Sequence, residues 1–416
     1  MTSYFENLPP ARPKPGGVVV LAFIATLAGR FVLTRLGLDV PVINDVRVLL
    51  YLALTLCLLL EAHRIGPAGK TAGGYAVLPI FGLLGYQILS AAWVPSGAVT
   101  GPMIGDLAAT AFLILVYYTL AHWDRDHVTR MTLYLFHIAA WVYFLAAASG
   151  RGHASNGRWA ALGGGPNVFV RVMFLGCITS LYLYFRSGQK LYWLMPIPAF
   201  VFGALASGSR GGLAAIAITG AIAIVAIRPK PRWNQLAKPL GFLVVLSIMV
   251  ALTAGPVIAD FVQTRFVDAT VGQGYTSDRD VLFAWALRLF WQRPLFGTGI
   301  NGFHAIANLG EGERYVHNLP LSVAAEGGFV GLTLLGLAWF GLWHAYIRTP
   351  RAQRSSEART SAYCGIFIGA TCLFSGDYFD ARIMWIMLVL AAVHQAHPPG
   401  AVPADRISHP WSRAST

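Results

Sequence analysis

MIGDLAATAFLILVYYTLA, residues 103–121, carries a single charged side chain, Asp106. As a helix it rises about 28 Å, close to the ~30 Å hydrocarbon thickness of a bilayer. Working outward, similar apolar runs recur along the whole chain. They cover about 17–36, 46–62, 75–93, 103–121, 128–149, 167–186, 190–206, 211–228, 239–258, 319–347, 360–376 and 381–396. The composition agrees: 56% of residues are hydrophobic and 12% charged. That charged fraction is about half the share of an ordinary soluble domain, too little to coat a soluble surface. Soluble enzymes, disordered chains and disulfide-stapled secreted domains are thereby excluded. The expected fold is an all-α integral membrane protein of about twelve transmembrane helices with one long outer loop carrying short helices.

Orientation follows from the placement of basic residues in short loops. With the N-terminus in the cytoplasm, 18 of the 31 Lys and Arg fall on that side, and all five Lys are among them. The remaining 13 are all arginine and lie outside or near the outer ends of spans. The first run follows Arg12 and Lys14 but no small-residue cleavage site follows it, so it is read as a retained span. The chain then divides into helices 1–9 (1–258), an outer loop (259–318), helices 10–12 (319–396) and a cytoplasmic tail (397–416). A connection of some sixty residues is too long for a simple linker, and such loops are usually functional. Within it, Thr276-Ser277-Asp278 reads as an N-cap for a helix over 280–292. Leu282, Trp285 and Leu289 recur there at helical spacing, and Pro294 stops it. This helix is too short to span and is expected at the membrane surface.

Four constellations carry possible chemistry. Ser207-Gly208-Ser209-Arg210-Gly211-Gly212 offers glycine backbone, a planar cation and a helix N-terminus, a combination suited to phosphate. A tight turn with a snorkelling arginine is the plainer reading. The loop arginines Arg265, Arg279, Arg288, Arg293 and Arg314 suit anion recognition, because guanidinium binds phosphate oxygens bidentately and never loses its charge. His317-Asn318 stands where the loop meets the tenth span. A neutral imidazole there accepts a proton from an attacking hydroxyl, while a helix cap is the alternative. Asp-Arg-Asp occurs at 124–126 and 278–280. The first copy falls on the cytoplasmic side, away from the other candidates. The second sits at a helix start, where capping accounts for it better than a divalent metal pair, so no metal is assigned. Asp377, Asp380 and Arg382 at the last outer turn suit either a site-lining group or a solvated ion-pair cluster, and the latter is the favoured reading. Cys57, Cys177, Cys364 and Cys372 all sit in apolar runs and are read as small core residues.

Together these features resemble the bacterial O-antigen ligase and polymerase superfamily. The resemblance rests on Ser207–Gly212, on Pro-Leu-Phe-Gly-Thr-Gly-Ile-Asn-Gly-Phe (294–303), and on His317-Asn318, nine residues, then Gly328-Phe329-Val330-Gly331. Glu326 falls where that family usually has an acid. The family's loop pattern of Arg, three residues and Trp is altered, since Phe283 follows Arg279 and Trp285 comes two positions later. The resemblance implies a GT-C-like enzyme of the bacterial inner membrane with its site on the periplasmic face. It implies transfer of a polysaccharide from undecaprenyl pyrophosphate to a sugar of lipid A-core, in lipopolysaccharide biosynthesis. No metal or other cofactor and no nucleic acid take part. Its implied roles are His317 as general base, with Arg210, Arg265 and Arg288, joined by Arg279, holding pyrophosphate. Ser209, Asn318 and Glu326 are supporting residues. A polymerase or protein O-oligosaccharyltransferase uses the same donor, so only the acceptor separates it. A lipid-linked glycan transporter is disfavoured because the charges gather at span ends, Arg171 excepted.

Overall fold

The computed structural model describes residues 15–29, 45–62, 71–72, 74–150, 154, 157–226, 233–263, 279–308 and 315–395. They form α1 (Gly16–Ala28), α2 (Val46–Glu61), α3 (Leu78–Leu89), α4 (Gly101–Ala148), α5 (Pro166–Arg186), α6 (Pro196–Ala206) and α7 (Arg210–Ala226). After these come α8 (Trp233–Val262), α9 (Arg279–Gln292), α10 (Gly302–Ala307), α11 (Leu319–Arg348), α12 (Ser356–Cys372) and α13 (Arg382–Ala392). The ladder among the described residues has two residues per strand, β1 (Thr71–Ala72) against β2 (His394–Gln395), antiparallel. It ends the last apolar run at Ala392, short of the expected 396. Four helical segments are long and apolar enough to cross a membrane: Gly74–Trp93, which contains α3, together with α4, α5 and α11. The chain is therefore a helical membrane protein.

Two long helices are broken, each by one residue. An unbroken α4 of 48 residues would extend about 72 Å, more than twice a bilayer's hydrocarbon core. Asp124 leaves helical geometry (φ −155°, ψ 86°), and its carboxylate accepts from His127 N at 3.0 Å. It thus caps a new helix, which divides α4 where the two expected runs 103–121 and 128–149 part. In α11 the break falls at Gly328 (φ +60°, ψ −156°), inside a stretch that reads as one uninterrupted span.

One continuous core runs through the bundle, with Trp385, Tyr117, Phe136, Phe169, Phe200 and Phe367 fully buried in it. α13 is apolar on every side and packs against α4, α11 and α12, as expected of a central helix. A smaller core joins Leu282, Ala286 and Leu289 of α9 to Phe303, Val316 and Ala325, seating the loop elements on the start of α11. Cys177, Cys364 and Cys372 are buried and Cys57 is half-buried, all with free thiols.

The turns sort to two ends. At one end Glu357 accepts from Tyr182 Oη (2.8 Å) and Arg186 Nη1 (2.6 Å), and Ser355 donates to Asp126 (2.9 Å). These bonds tie α4, α5 and α12 together. The other end carries the 207–209, 293–301 and 373–381 turns and the start of α11, and it holds the candidate site.

Candidate active site

The segment between α6 and α7 turns through Gly208 at φ +59°. Ser209 Oγ accepts from Gly212 N (3.2 Å) and donates to Asn167 Oδ1 (2.8 Å), so its side chain caps α7. Arg158 Nε donates to the Ser207 carbonyl at 2.7 Å and holds the turn from outside. Gly211 and Gly212 leave no room for side chains, because a Cβ would collide with Phe374 and Val170 respectively. Arg210 opens α7, one residue earlier than the expected Gly211, and is half-buried.

α9 brings only part of the arginine set to this turn. Arg279, its first residue, lies with Nη1 3.6 Å from where a Gly211 Cβ would stand. Arg279 therefore joins Arg210. Arg288 does not: nine residues on, it is about 14 Å along the axis and half a turn round the helix. It is exposed and rests over the Trp285 ring at 5.1 Å. Arg265, Arg314 and the cap Thr276–Asp278 lie outside the described residues. Leu282 and Leu289 are buried and Trp285 half-buried, as their spacing predicts.

His317 is held in an uncommon backbone conformation, φ +59°. Such strain costs on the order of 1 kcal/mol and survives only where neighbours impose it. Here Val316 and Leu319 are both buried. Between them, Asn318 caps α11, accepting from Leu321 N at 2.9 Å and donating to the Leu373 carbonyl at 2.8 Å. The imidazole faces the Tyr315 ring at 4.1 Å.

The Pro294–Phe303 motif is the partner of the break in α11. Thr298 N donates to Ala325 O (3.0 Å), Gly299 N to Glu326 O (2.9 Å), Phe329 N to Pro294 O (2.7 Å) and Val330 N to Leu295 O (3.2 Å). The break thus exposes peptide groups that the loop satisfies, strand-like, inside a helical protein. Gly297 and Gly328 both have positive φ, and each lies so near the opposite backbone that a Cβ would overlap it. Tyr86 Oη spans the junction, donating to Gly327 O (2.9 Å) and Phe296 O (3.1 Å).

This zipper places Glu326 in a small cavity of about 10 Å³ with Asn301, Tyr315, Ser322, Asp377 and Tyr378, room for about one water. The backbone of Asn301 and Phe303 and the Tyr378 hydroxyl face its carboxyl. Burial, reinforced by Glu326, pushes the Tyr378 hydroxyl well above the ordinary phenol range.

Asp377, Asp380 and Arg382 correct the expectation of a solvated cluster. Asp377 and Arg382 are buried, and Asp380 pairs with Arg171 at 3.1 Å. Arg171 also donates to the Ser375 carbonyl. Arg382 donates to Thr26 O (2.9 Å) and Phe379 O (2.8 Å) and stacks on Phe379 at 4.0 Å. The charges brace the 373–381 turn from α1 and α5. Asp126 and the exposed Asp280 belong to the two Asp-Arg-Asp copies, and no group of three metal-ligand side chains gathers among the described residues. Sequence reasoning passed over Tyr86, Asn167, Tyr315 and Tyr378. Arg171, already set apart in the sequence as a charge inside an apolar run, is the buried partner of the 373–381 turn.

Residues 197–336 match the family model for O-antigen ligase. The match takes in Ser207–Gly212, α9, the Pro294–Phe303 motif, His317 and the α11 break. No curated protein matches the chain.

Proposed function

Because residues 197–336 match the family model for O-antigen ligase, we propose that the chain is a member of that family and the ligase itself. It moves a glycan from undecaprenyl pyrophosphate to a sugar of lipid A-core. One observation supports this reading above the rest. Leu373 accepts from Asn318, and its neighbour Phe374 packs on Gly211. Two motifs a hundred residues apart therefore meet on one turn, with Arg210 and Arg279 on one side and His317 on the other.

In the proposed reaction Arg210 and Arg279, with Arg265, bind the donor pyrophosphate. Arg288 stands apart from Arg210 and Arg279 in this conformation. The acceptor hydroxyl oxygen attacks the anomeric carbon, its proton passes to the His317 imidazole, and the bond from that carbon to the phosphate oxygen breaks. Attack from the face opposite the leaving group inverts the anomeric centre. The guanidinium groups meet the negative charge that develops on the pyrophosphate, an effect often dominant in catalysis. Asn318 orients the histidine through its cap, Ser209 shapes the arginine turn, and Glu326 with its water-sized cavity supports the backbone that carries both. Neither a metal nor another cofactor has a role.

The proposed topology has twelve spans, both termini in the cytoplasm, and residues 259–318 as the periplasmic loop over the inner membrane. The purified protein, given lipid-linked glycan and lipid A-core, should form core-linked glycan. Elongation of carrier-linked glycan without transfer to core would identify a polymerase instead.

A further inference from the structure

Arg293 is one of the loop arginines that the donor site leaves without a role. It follows the last turn of α9, is exposed, and has no carboxylate partner among the described residues. Beside it opens a groove of about 650 Å³ walled by Tyr86, Trp93, Pro294, Leu295 and Phe296. The walls are set in advance. Trp93 packs against Tyr86 (5.9 Å between ring centroids) and Phe296 (6.3 Å), and the Tyr86 hydroxyl is fixed by its two carbonyls. Leu295 and Phe296 are 61% and 56% exposed, and Trp291 nearby is 70% exposed. Tryptophan and tyrosine at a span end mark the headgroup level of a bilayer. The groove is thus apolar along its length, with the Arg293 guanidinium at its mouth and no carboxylate paired to it among the described residues.

The geometry points to this groove as the docking site of the acceptor lipid, an acyl chain lying along Trp93 and Phe296 and a headgroup phosphate on Arg293. The inference rests on the transferase reading above. Distance favours acceptor over donor. Arg279 and Arg293 stand at opposite ends of α9, fourteen residues apart, about 21 Å. In the donor the hydrocarbon chain begins directly at the pyrophosphate, so its start must lie at Arg210 and Arg279. In the acceptor an oligosaccharide separates the reacting hydroxyl from the acyl chains, and a separation of this size is what such a molecule requires. The groove's floor, Gly297, packs on the Glu326 carbonyl, so an occupant would rest on the same segment that shapes the catalytic break.

The test uses the full chain in nanodiscs with lipid-linked glycan and titrated lipid A-core. Arg293→Glu should raise the acceptor KM at least tenfold and leave the donor KM unchanged. Leu295→Glu, at an exposed position, should do the same without loss of folded protein. Lipid A-core bearing a photoreactive acyl chain should label residues 293–297 or the Tyr86–Trp93 stretch, and Arg293→Glu should lose that label. An unchanged acceptor KM, labelling by a photoreactive prenyl donor instead, or equal competition from anionic phospholipid vesicles would overturn the assignment. Labelling is read without turnover. A wild-type protein that is labelled but transfers nothing to core would therefore sink the transferase reading and leave the groove assignment standing.

Discussion

Gly297→Ala probes the junction on which the site depends. At φ +67° an alanine carries the left-handed penalty, about 1–2 kcal/mol. Its Cβ would also overlap the Glu326 carbonyl, and backbone cannot rotate aside as a side chain does. The loop must then withdraw from α11, losing at least the Thr298–Ala325 and Gly299–Glu326 bonds, roughly 0.5–1.5 kcal/mol each. The sum is about 2–5 kcal/mol, on the order of 2–6 °C in Tm for a chain of 416 residues. Gly220→Ala is the control, since nothing lies within 4 Å of a Cβ there and helix propensity favours alanine. Thermal unfolding in detergent and glycan transfer should be measured on both variants. The account expects Gly297→Ala to lose both stability and most transfer, with Gly220→Ala matching wild type. Equal behaviour of the two would refute the idea that loop and helix are zipped backbone to backbone.

Three further outcomes are expected. His317→Ala should lower transfer by roughly 10²–10⁴-fold, the usual contribution of a general base, while donor binding measured by native mass spectrometry stays within about twofold. Arg279→Ala should raise the donor KM well above the effect of Arg288→Ala, because only Arg279 reaches the Ser207–Gly212 turn; parity in steady-state kinetics would place Arg288 in the clamp. Arg171→Met should destabilise by about 2–4 kcal/mol by stranding Asp380, and the double variant Arg171→Met/Asp380→Leu should recover much of that in thermal melts.

Much of this architecture was readable before any coordinates. The apolar runs became helices because a lipid-facing segment must satisfy its own peptide groups. The charged Asp124-Arg125-Asp126 triplet lies in the gap between two apolar runs, and in the structure Asp124 caps the second because carboxylates favour helix starts. α9 followed from the spacing of Leu282 and Leu289. The break at Gly328 was not readable. Hydropathy reports burial, and residues 319–347 are apolar on both sides of a kink whose cause is a loop some thirty residues earlier. Asp377, Asp380 and Arg382 were misjudged because sequence displays a charge without its partner. Arg171 and Thr26, which hold them, lie on α5 and α1. The loop arginines read as one set in sequence, whereas α9 turns Arg279 and Arg288 to opposite faces.

The most direct measurement is a single-particle structure of the protein bound to a polyprenyl pyrophosphate glycan. The account predicts phosphate density between Arg210 and Arg279, with the first sugar facing His317 Nε2 or Nδ1. Phosphate density at the opposite end, around Arg125 and Arg186, or on Arg288 alone, would contradict it.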